Sequence, residues 1–239
     1  MKDLLLHIHT HKPFPSAPCD WQKTVSTVDV EGAEKIPQAM PGTRLDEFDA
    51  IRFAANADAT HVGVCHYRRR PFLNNQAYCP DSRFYVDPTQ ENIEFLAAKE
   101  HRQAALDILD SHDVIQYRPF MLNMAYRHQF SLFTPVAAWD IMLEVLTQLG
   151  LGQSLGFYRV SNAHVWCSLL IAKRELVADF IGFALNVAKL LGERTDYNAL
   201  LNQNPRLTAL LLERLTPLYV FHHRLRSAYV PMVCLEKNA

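Results

Sequence analysis

Short apolar runs alternate with stretches of helical periodicity along this chain. Apolar runs of strand length occupy residues 4–9, 61–65, 113–117 and 165–172. Helical patterns fill the intervals at residues 45–56, 87–110, 135–150, 173–192 and 205–215, and the tail beyond them is expected to be irregular. This order of strands and helices predicts an α/β fold, Rossmann-like, with a mainly parallel sheet and helices on both faces.

Polar residues, prolines and glycines indicate where the helices begin and end. Thr43 is the expected cap of the first helix, and Asp87 with Pro88 opens the second. Gly150 is expected to end the third helix. The apolar stretch 176–191 contains Asp179, Asn186 and Lys189, so it predicts a buried amphipathic helix and not a membrane span.

Composition restricts the class of protein. The chain has 239 residues, 49% of them hydrophobic, which fits a single domain over 1–239. A net charge of -1 argues against a nucleic-acid-binding protein. The five cysteines are odd in number and form no CxxC pair, and the N-terminal apolar run is too short for a signal peptide. These observations favour a cytoplasmic protein, with peripheral membrane contact left open.

Cationic and titratable residues follow the first two predicted strands. His11 and Lys12 come after the first strand, and His66, Tyr67, Arg68 and Arg69 come after the second. In sheets of this type, ligands bind beyond the carboxyl ends of the strands. Arginine forks match phosphate oxygens, so the two strand ends predict a diphosphate site. The alternative is that the arginines form a solvated surface loop.

Alternate histidines on the first strand allow a different chemistry. His7, His9 and His11 resemble the start of a metal-dependent hydrolase site, which would need further His, Asp or Glu ligands. No HExxH, GxSxG, Walker or GxGxxG motif occurs, and no strict Asp-x-Asp. For His7, an ordinary buried strand position is the simpler expectation.

Two adjacent charges interrupt the last apolar helix. Glu213 and Arg214 follow a run of leucines, where a carboxylate is costly unless it is paired or lies at the edge of a site. Either an internal ion pair or a catalytic base that contacts an acceptor hydroxyl accounts for this pair.

Several segments, in order, resemble one known family. Residues 56–69, which read NADATHVGVCHYRR, are similar to the hallmark of bacterial capsular and exopolysaccharide glycosyltransferases, a family long known as a domain of unknown function. The segments His11-Lys12-Pro13, Asp113-Val114-Ile115, Lys173-Arg174-Glu175 and Glu213-Arg214-Leu215 match its weaker motifs. The chain departs from the family pattern at Arg70, Ser168, Asp46 and Arg52, where the family usually has an aromatic residue, Asn, Glu and Trp.

The resemblance implies a GT-A-like, nucleotide-binding fold in which the HYRR segment occupies the place of the Asp-x-Asp motif. Arginines would then neutralise the donor diphosphate, and a divalent cation such as Mn or Mg stays open as a cofactor. The expected partners are a nucleotide-sugar donor, UDP-linked by preference, and a saccharide or lipid-linked saccharide acceptor.

These observations favour a hexosyltransferase-type enzyme of surface polysaccharide biosynthesis, making capsule, exopolysaccharide or O-antigen. His11, Lys12, His66, Tyr67, Arg68, Arg69 and Arg214 are the expected substrate-binding residues. Glu213 or Asp46 is the expected catalytic group. A metal-dependent hydrolase and a non-catalytic sugar- or nucleotide-binding module are the alternatives.

Overall fold

The computed structural model describes residues 2–14, 19–40, 45–73, 84–165 and 169–235. The strands are β1 (Lys2–His9), β2 (Gln22–Ser26), β3 (Glu34–Lys35), β4 (Ala59–His66), β5 (Arg69–Pro71), β6 (Tyr85–Val86), β7 (Val114–Tyr117), β8 (Phe120–Met121), β9 (Ala163–His164), β10 (Leu170–Lys173), β11 (Ser227–Val230) and β12 (Met232–Cys234).

The helices are α1 (Asp46–Ala54), α2 (Gln90–Phe95), α3 (Lys99–Leu109), α4 (Tyr126–Ser131), α5 (Val136–Gln148), α6 (Phe157–Val160), α7 (Arg174–Gly192), α8 (Thr195–Leu201), α9 (Leu207–Leu212) and α10 (Leu215–His222), with a 3-10 helix at Gly152–Gly156. Thr43, the expected cap of α1, lies outside the described residues, and Leu45 occupies the N-cap position without a side-chain hydrogen bond.

A central sheet has the strand order β11-β7-β10-β4-β1-β2-β3. Its pairings are mainly parallel, as the sequence predicted: β1 with β2 and β4, β2 with β3, and β11 with β7. The strand β10 runs antiparallel to both of its neighbours, β4 and β7. Because β10 is antiparallel to both, β4 and β7 point the same way and end at the same edge of the sheet.

Helices cover both faces of this sheet, which explains why its strands are apolar on both sides. Neighbouring residues of β4 divide between two cores, Val64 on one face and Cys65 on the other. The helices α1, α5, α7, α9 and α10 pack on the Val64 face, while α3 packs on the Cys65 face. The predicted α/β architecture is therefore confirmed.

The helix expected at 87–110 is two helices. Thr89, not Asp87, caps the first, because its hydroxyl accepts a hydrogen bond from the Asn92 N–H at 3.2 Å. Ala98 is extended and begins the second helix. Leu96, at the break, is buried in a small core, whereas Ile93 is 39% exposed.

Two expectations near the C-terminus were wrong. Among the described residues, the strand predicted at 165–172 is present only as β10, whereas β9 precedes the predicted range and belongs to a different sheet. The tail forms β11 and β12 instead of an irregular segment. Both strands are very short and Pro231 separates them, so their alternation is too brief to recognise, and pairing with distant strands stabilises them.

The long helix α7 has the amphipathic character that its sequence predicted, with seven buried positions facing the core. Within the described ranges, no helix combines the length and apolar character that crossing a membrane requires.

Candidate functional site

A cleft of about 630 Å³ opens at the carboxyl ends of β1 and β4, and we call it the first cleft. This is where ligands bind in open α/β sheets. The first cleft is lined by His9, His11, Val28, Gln38, Leu45, Asp46, Glu47, Phe48, His66, Arg68, Arg69, Arg206, Ala209, Leu210 and Glu213.

The segment 66–69 forms a tight hairpin at the floor of this cleft. His66 ends β4, Tyr67 and Arg68 make the turn, and Arg69 begins β5 directly opposite His66. Opposed residues of an antiparallel pair point to the same face, so His66 and Arg69 share the cleft side. Arg70 points to the other face, where it is 4% exposed and donates to the Gln22 side chain. The arginine run is thus divided, and Arg70 belongs to the interior.

The hairpin is anchored by hydrogen bonds to its backbone carbonyls. The Tyr117 hydroxyl donates to the Arg69 carbonyl at 2.5 Å. The Leu235 N–H donates to the Arg68 carbonyl at 2.9 Å, and β12 pairs with β5 through Cys234 and Arg69. Such fixed positions reduce the entropy lost when arginines bind a ligand.

His66 is neutral at physiological pH. Burial lowers its pKa to about 3, and the nearby His9, Arg68 and Arg69 act in the same direction. The Arg68 N–H donates to His66 Nδ1 at 3.3 Å, so Nε2 carries the proton of the neutral ring. His66 can therefore donate one hydrogen bond to an anion but contributes no charge.

Two further histidines surround the His66 ring. His9 is its register partner on β1, with ring centroids 5.9 Å apart, and the His11 ring lies 5.7 Å away. Burial lowers the pKa of His9, although Glu47 and Asp46 oppose that effect. The two strand ends that the sequence singled out therefore meet at one site.

Carboxylates also line the first cleft. Asp46 and Glu47 occupy the first turn of α1. The Thr27 hydroxyl donates to Asp46 Oδ1 at 2.7 Å, which fixes the Asp46 carboxylate in place.

Glu213 lies in the cleft wall between α9 and α10, at a break in the helix that the sequence predicted as continuous. Burial raises its pKa to about 7, and Glu47 adds to that effect, while Arg214, Arg206 and Arg69 oppose it. A carboxyl group with a pKa near neutrality exchanges a proton readily at physiological pH.

Arg214 stands behind Glu213 and does not line the cleft. Its Nη1 donates to Glu213 Oε2 at 3.2 Å and to the Leu210 carbonyl at 2.6 Å, and its Nη2 donates to Gln129 Oε1 at 3.1 Å. The guanidinium is buried and lies over the Phe130 ring at 5.4 Å. This arrangement orients the Glu213 carboxylate, so the expected internal ion pair is present while Glu213 still lines the cleft.

Lys12 and Tyr67, two expected substrate-binding residues, also lie outside the cleft lining. The Tyr67 ring is buried, and Lys12 Nζ and the Arg68 guanidinium lie 5.6 and 5.7 Å from its centre. Tyr67 therefore supports the cations that surround it. Glu47 and Arg206 also line the cleft, but no sequence motif predicted them. The packing of α1 and α9 brings these two residues to the edge of the sheet where β1 and β4 end.

The hydrolase alternative lacks a ligand set in the described part of the chain, where no group of three or more His, Cys, Asp or Glu side chains is arranged to hold a metal ion. His7 is fully buried against the Phe53 ring, with centroids 5.6 Å apart, and burial lowers its pKa to about 4. His7 is thus a core residue, as the simpler expectation had it.

Comparisons with known proteins place these observations in context. The family model described as Domain of unknown function (DUF4422) matches residues 47–224. None of the curated proteins matches the sequence. Among solved structures, the apo structure of WbbM, a bifunctional glycosyltransferase, has a TM-score of 0.79 over 99% of this chain at 13% identity. The chain spans 46% of that protein, so the likeness is one of fold.

Proposed function

The chain belongs to the family described as Domain of unknown function (DUF4422), and from this premise we propose that it is a glycosyltransferase. It transfers a hexose from a nucleotide-sugar donor to a saccharide acceptor of a surface polysaccharide, at the cytoplasmic side of the membrane. The observation that carries the proposal is the charged lining of the first cleft, where both arginines and carboxylates are present.

The arginines of the first cleft fit the donor diphosphate. Arg68 and Arg69 come from the hairpin and Arg206 from the start of α9, so three guanidinium groups approach from two elements. They stabilise the negative charge that develops when the bond between the sugar and the phosphate breaks. His66 donates a neutral hydrogen bond beside them. The Tyr67 ring packs beside the Arg68 guanidinium and Lys12 Nζ and holds these two cations near the diphosphate.

The carboxylates of the first cleft fit the acceptor. The acceptor hydroxyl oxygen attacks the anomeric carbon, the nucleoside diphosphate departs with its bonding electrons, and the hydroxyl proton passes to Glu213. Glu213 suits this role better than Asp46, because its pKa of about 7 matches the working pH of a base. Asp46 is already fixed by Thr27.

We propose that the arginines take the place of a divalent cation at the diphosphate. Activity is then expected to survive a chelator such as EDTA, measured as nucleoside diphosphate released per minute with and without added Mn²⁺. Activity that vanishes with EDTA and returns with Mn²⁺ would make the metal-free mechanism wrong.

Thermal shift with a panel of nucleotide sugars tests the donor site. One nucleotide and its sugar conjugates are expected to raise Tm, with UDP conjugates the first to try. Arg69→Ala should weaken the binding of that donor roughly tenfold or more, because it loses a charged hydrogen bond. Arg159→Ala, an exposed arginine outside the cleft lining, is the matched control and should bind as the wild type does. If no nucleotide sugar raises Tm, the proposed glycosyltransferase function is wrong.

A further inference from the structure

A second cleft of about 480 Å³ lies beside β7 and β11. It extends from Pro119, beyond the carboxyl end of β7, to Ser227 at the start of β11, and it is lined by Gln116, Pro119, Phe157, Ser161, Val165, Pro217, Val220, Phe221, Arg224, Leu225, Ser227 and Tyr229. The strand order separates β4 from β7 by β10 alone. Two strand spacings, about 10 Å, therefore separate β4, which ends at the first cleft, from β7, which lies beside the second.

One helical face runs through both clefts. Residues lining the first cleft and residues lining the second follow one another at spacings of three and four, which is the repeat of a single helix face. They are Arg206, Leu210, Glu213, Pro217 and Phe221, and Arg224 follows just beyond the end of α10. Glu213 and Arg214 keep right-handed helical backbone angles at the break, so the face continues from α9 into α10. The two clefts are thus consecutive parts of one groove along these helices.

The lining of the second cleft combines aromatic rings with polar groups. The rings of Phe157 and Phe221 are 5.1 Å apart, and Phe221 and Tyr229 are 51% and 39% exposed. In the wall, Gln116 Nε2 and Ser227 Oγ are enclosed and have no hydrogen-bond partner among the described residues. A lipid chain would leave these polar atoms unsatisfied. A sugar ring has apolar C–H faces that pack on aromatic rings and hydroxyl groups that supply hydrogen bonds.

We infer that the second cleft binds the distal sugar units of an oligosaccharide acceptor whose reactive end lies at Glu213. The acceptor is then a chain of sugars lying along α9 and α10, and a single sugar would leave the second cleft empty. That the bound saccharide is the acceptor rests on the proposed function, whereas binding of a saccharide in the second cleft is tested separately from transfer.

The test measures binding of the labelled full chain to arrayed bacterial surface glycans, from monosaccharides to oligosaccharides, in the absence of nucleotide. We expect oligosaccharides to be retained and monosaccharides not. Phe221→Ala should lower that affinity about tenfold or more, since an aromatic contact is lost. Phe133→Ala is the matched control, because Phe133 is 69% exposed and lies outside both clefts, and it should bind as the wild type does.

Arg224→Gly separates binding from folding. Arg224 has a φ of 53°, a left-handed conformation that glycine adopts without the penalty of a Cβ atom. This variant should therefore melt no lower than the wild type, yet bind the retained glycans several-fold more weakly because the guanidinium is gone.

Three results would overturn the inference: no glycan retained by the wild type, equal retention by Phe221→Ala and Phe133→Ala, or binding of phosphatidylglycerol vesicles in place of glycans. The nucleotide-sugar thermal shift depends on Arg69 and should be the same in Phe221→Ala and wild type. If the protein retains glycans but no nucleotide sugar raises its Tm, the proposed glycosyltransferase activity is wrong. The same result would support the second cleft as a saccharide-binding site.

Discussion

Glu213 is held between opposing charges, and its protonation sets the expected pH dependence of activity. Its pKa of about 7 means that half of the molecules carry the carboxylate near neutrality. Because a base must be ionised to accept the acceptor proton, kcat should rise with pH through about 7 and level off above it. Glu213→Gln should lower kcat roughly 10²- to 10⁴-fold while donor binding persists.

The matched control for that variant is Glu175→Gln, because Glu175 is an exposed glutamate at the start of α7. A kcat that stays within about twofold of the wild type in Glu213→Gln would exclude Glu213 as the base.

The raised pKa of Glu213 also predicts how this residue affects the free energy of unfolding. Its pKa in the folded protein lies above its ordinary value of 4.5, so its favourable contribution is present below that value and is lost as pH rises through about 7. Relative to the wild type, Glu213→Gln should gain stability between pH 5 and pH 8, by at most about 3 kcal/mol. Chemical unfolding of both proteins at the two pH values measures the difference, and a loss with rising pH would contradict the sign.

At the scale of elements, the antiparallel pairing of β4 and β10 leaves no room for a larger residue at Gly63, which lies opposite Ile171. A Cβ atom there would lie 2.6 Å from Ile171 Cγ1 and 3.1 Å from a Leu6 methyl group. Gly63→Ala should therefore destabilise the fold by about 1–3 kcal/mol through overpacking.

Gly182 offers the matched comparison, since it lies within α7 and a Cβ atom added there would meet no other atom within 4 Å. Gly182→Ala should stabilise the protein by roughly 0.5–1 kcal/mol, because alanine loses less backbone entropy in a helix. Urea unfolding of Gly63→Ala and Gly182→Ala measures both changes in stability. If the two changes had the same sign, the packing around these glycines would differ from that in the structure.

The elements also show what the sequence predicted and what it did not. Periodicity identified the long helices and the strands β1, β4 and β7, because each carries its own local pattern. The break at Leu96, the reversed strand β10 and the strands β11 and β12 depend on pairing and packing with residues far along the chain. Such contacts leave no local periodicity.

At the scale of the whole molecule, several histidines are buried in neutral form. Burial is the main cause of a pKa of about 4 for His7 and about 3 for His66, His101 and His164. Each pKa lies below the ordinary value of 6.5, so the stabilisation is present above that pH and is lost as pH falls towards 4. The raised pKa of Glu213 acts in the opposite direction and offsets only part of this loss.

The free energy of unfolding should therefore fall as pH is lowered from 7 to 4.5, by on the order of 2 kcal/mol for each of these histidines. His7→Phe keeps a ring against Phe53 but removes one titrating group, so its unfolding free energy should depend less steeply on pH. Denaturant unfolding across this range is the measurement, and an unchanged slope in His7→Phe would contradict the prediction.

The candidate site follows partly from a rule about whole sheets. The rule that ligands bind beyond the carboxyl ends of strands brought His11 and His66 together from the sequence alone, and their rings are neighbours in the structure. The same rule gave no hint that Arg70 points into the interior or that Arg206 reaches the cleft. Those positions depend on a two-residue turn and on how α9 packs, which no short motif encodes.

The pairing of β5 with β12 has a consequence for how the protein is made. The hairpin carrying Arg68 and Arg69 lies in the first third of the chain, yet the strand that holds it includes Cys234, and Leu235 bonds to its turn. A ribosome completes the hairpin long before it adds these residues. Until Cys234 and Leu235 have been synthesised, the nascent chain therefore carries Arg68 and Arg69 on a turn that lacks these backbone contacts, and the cleft that these arginines line is not complete before then.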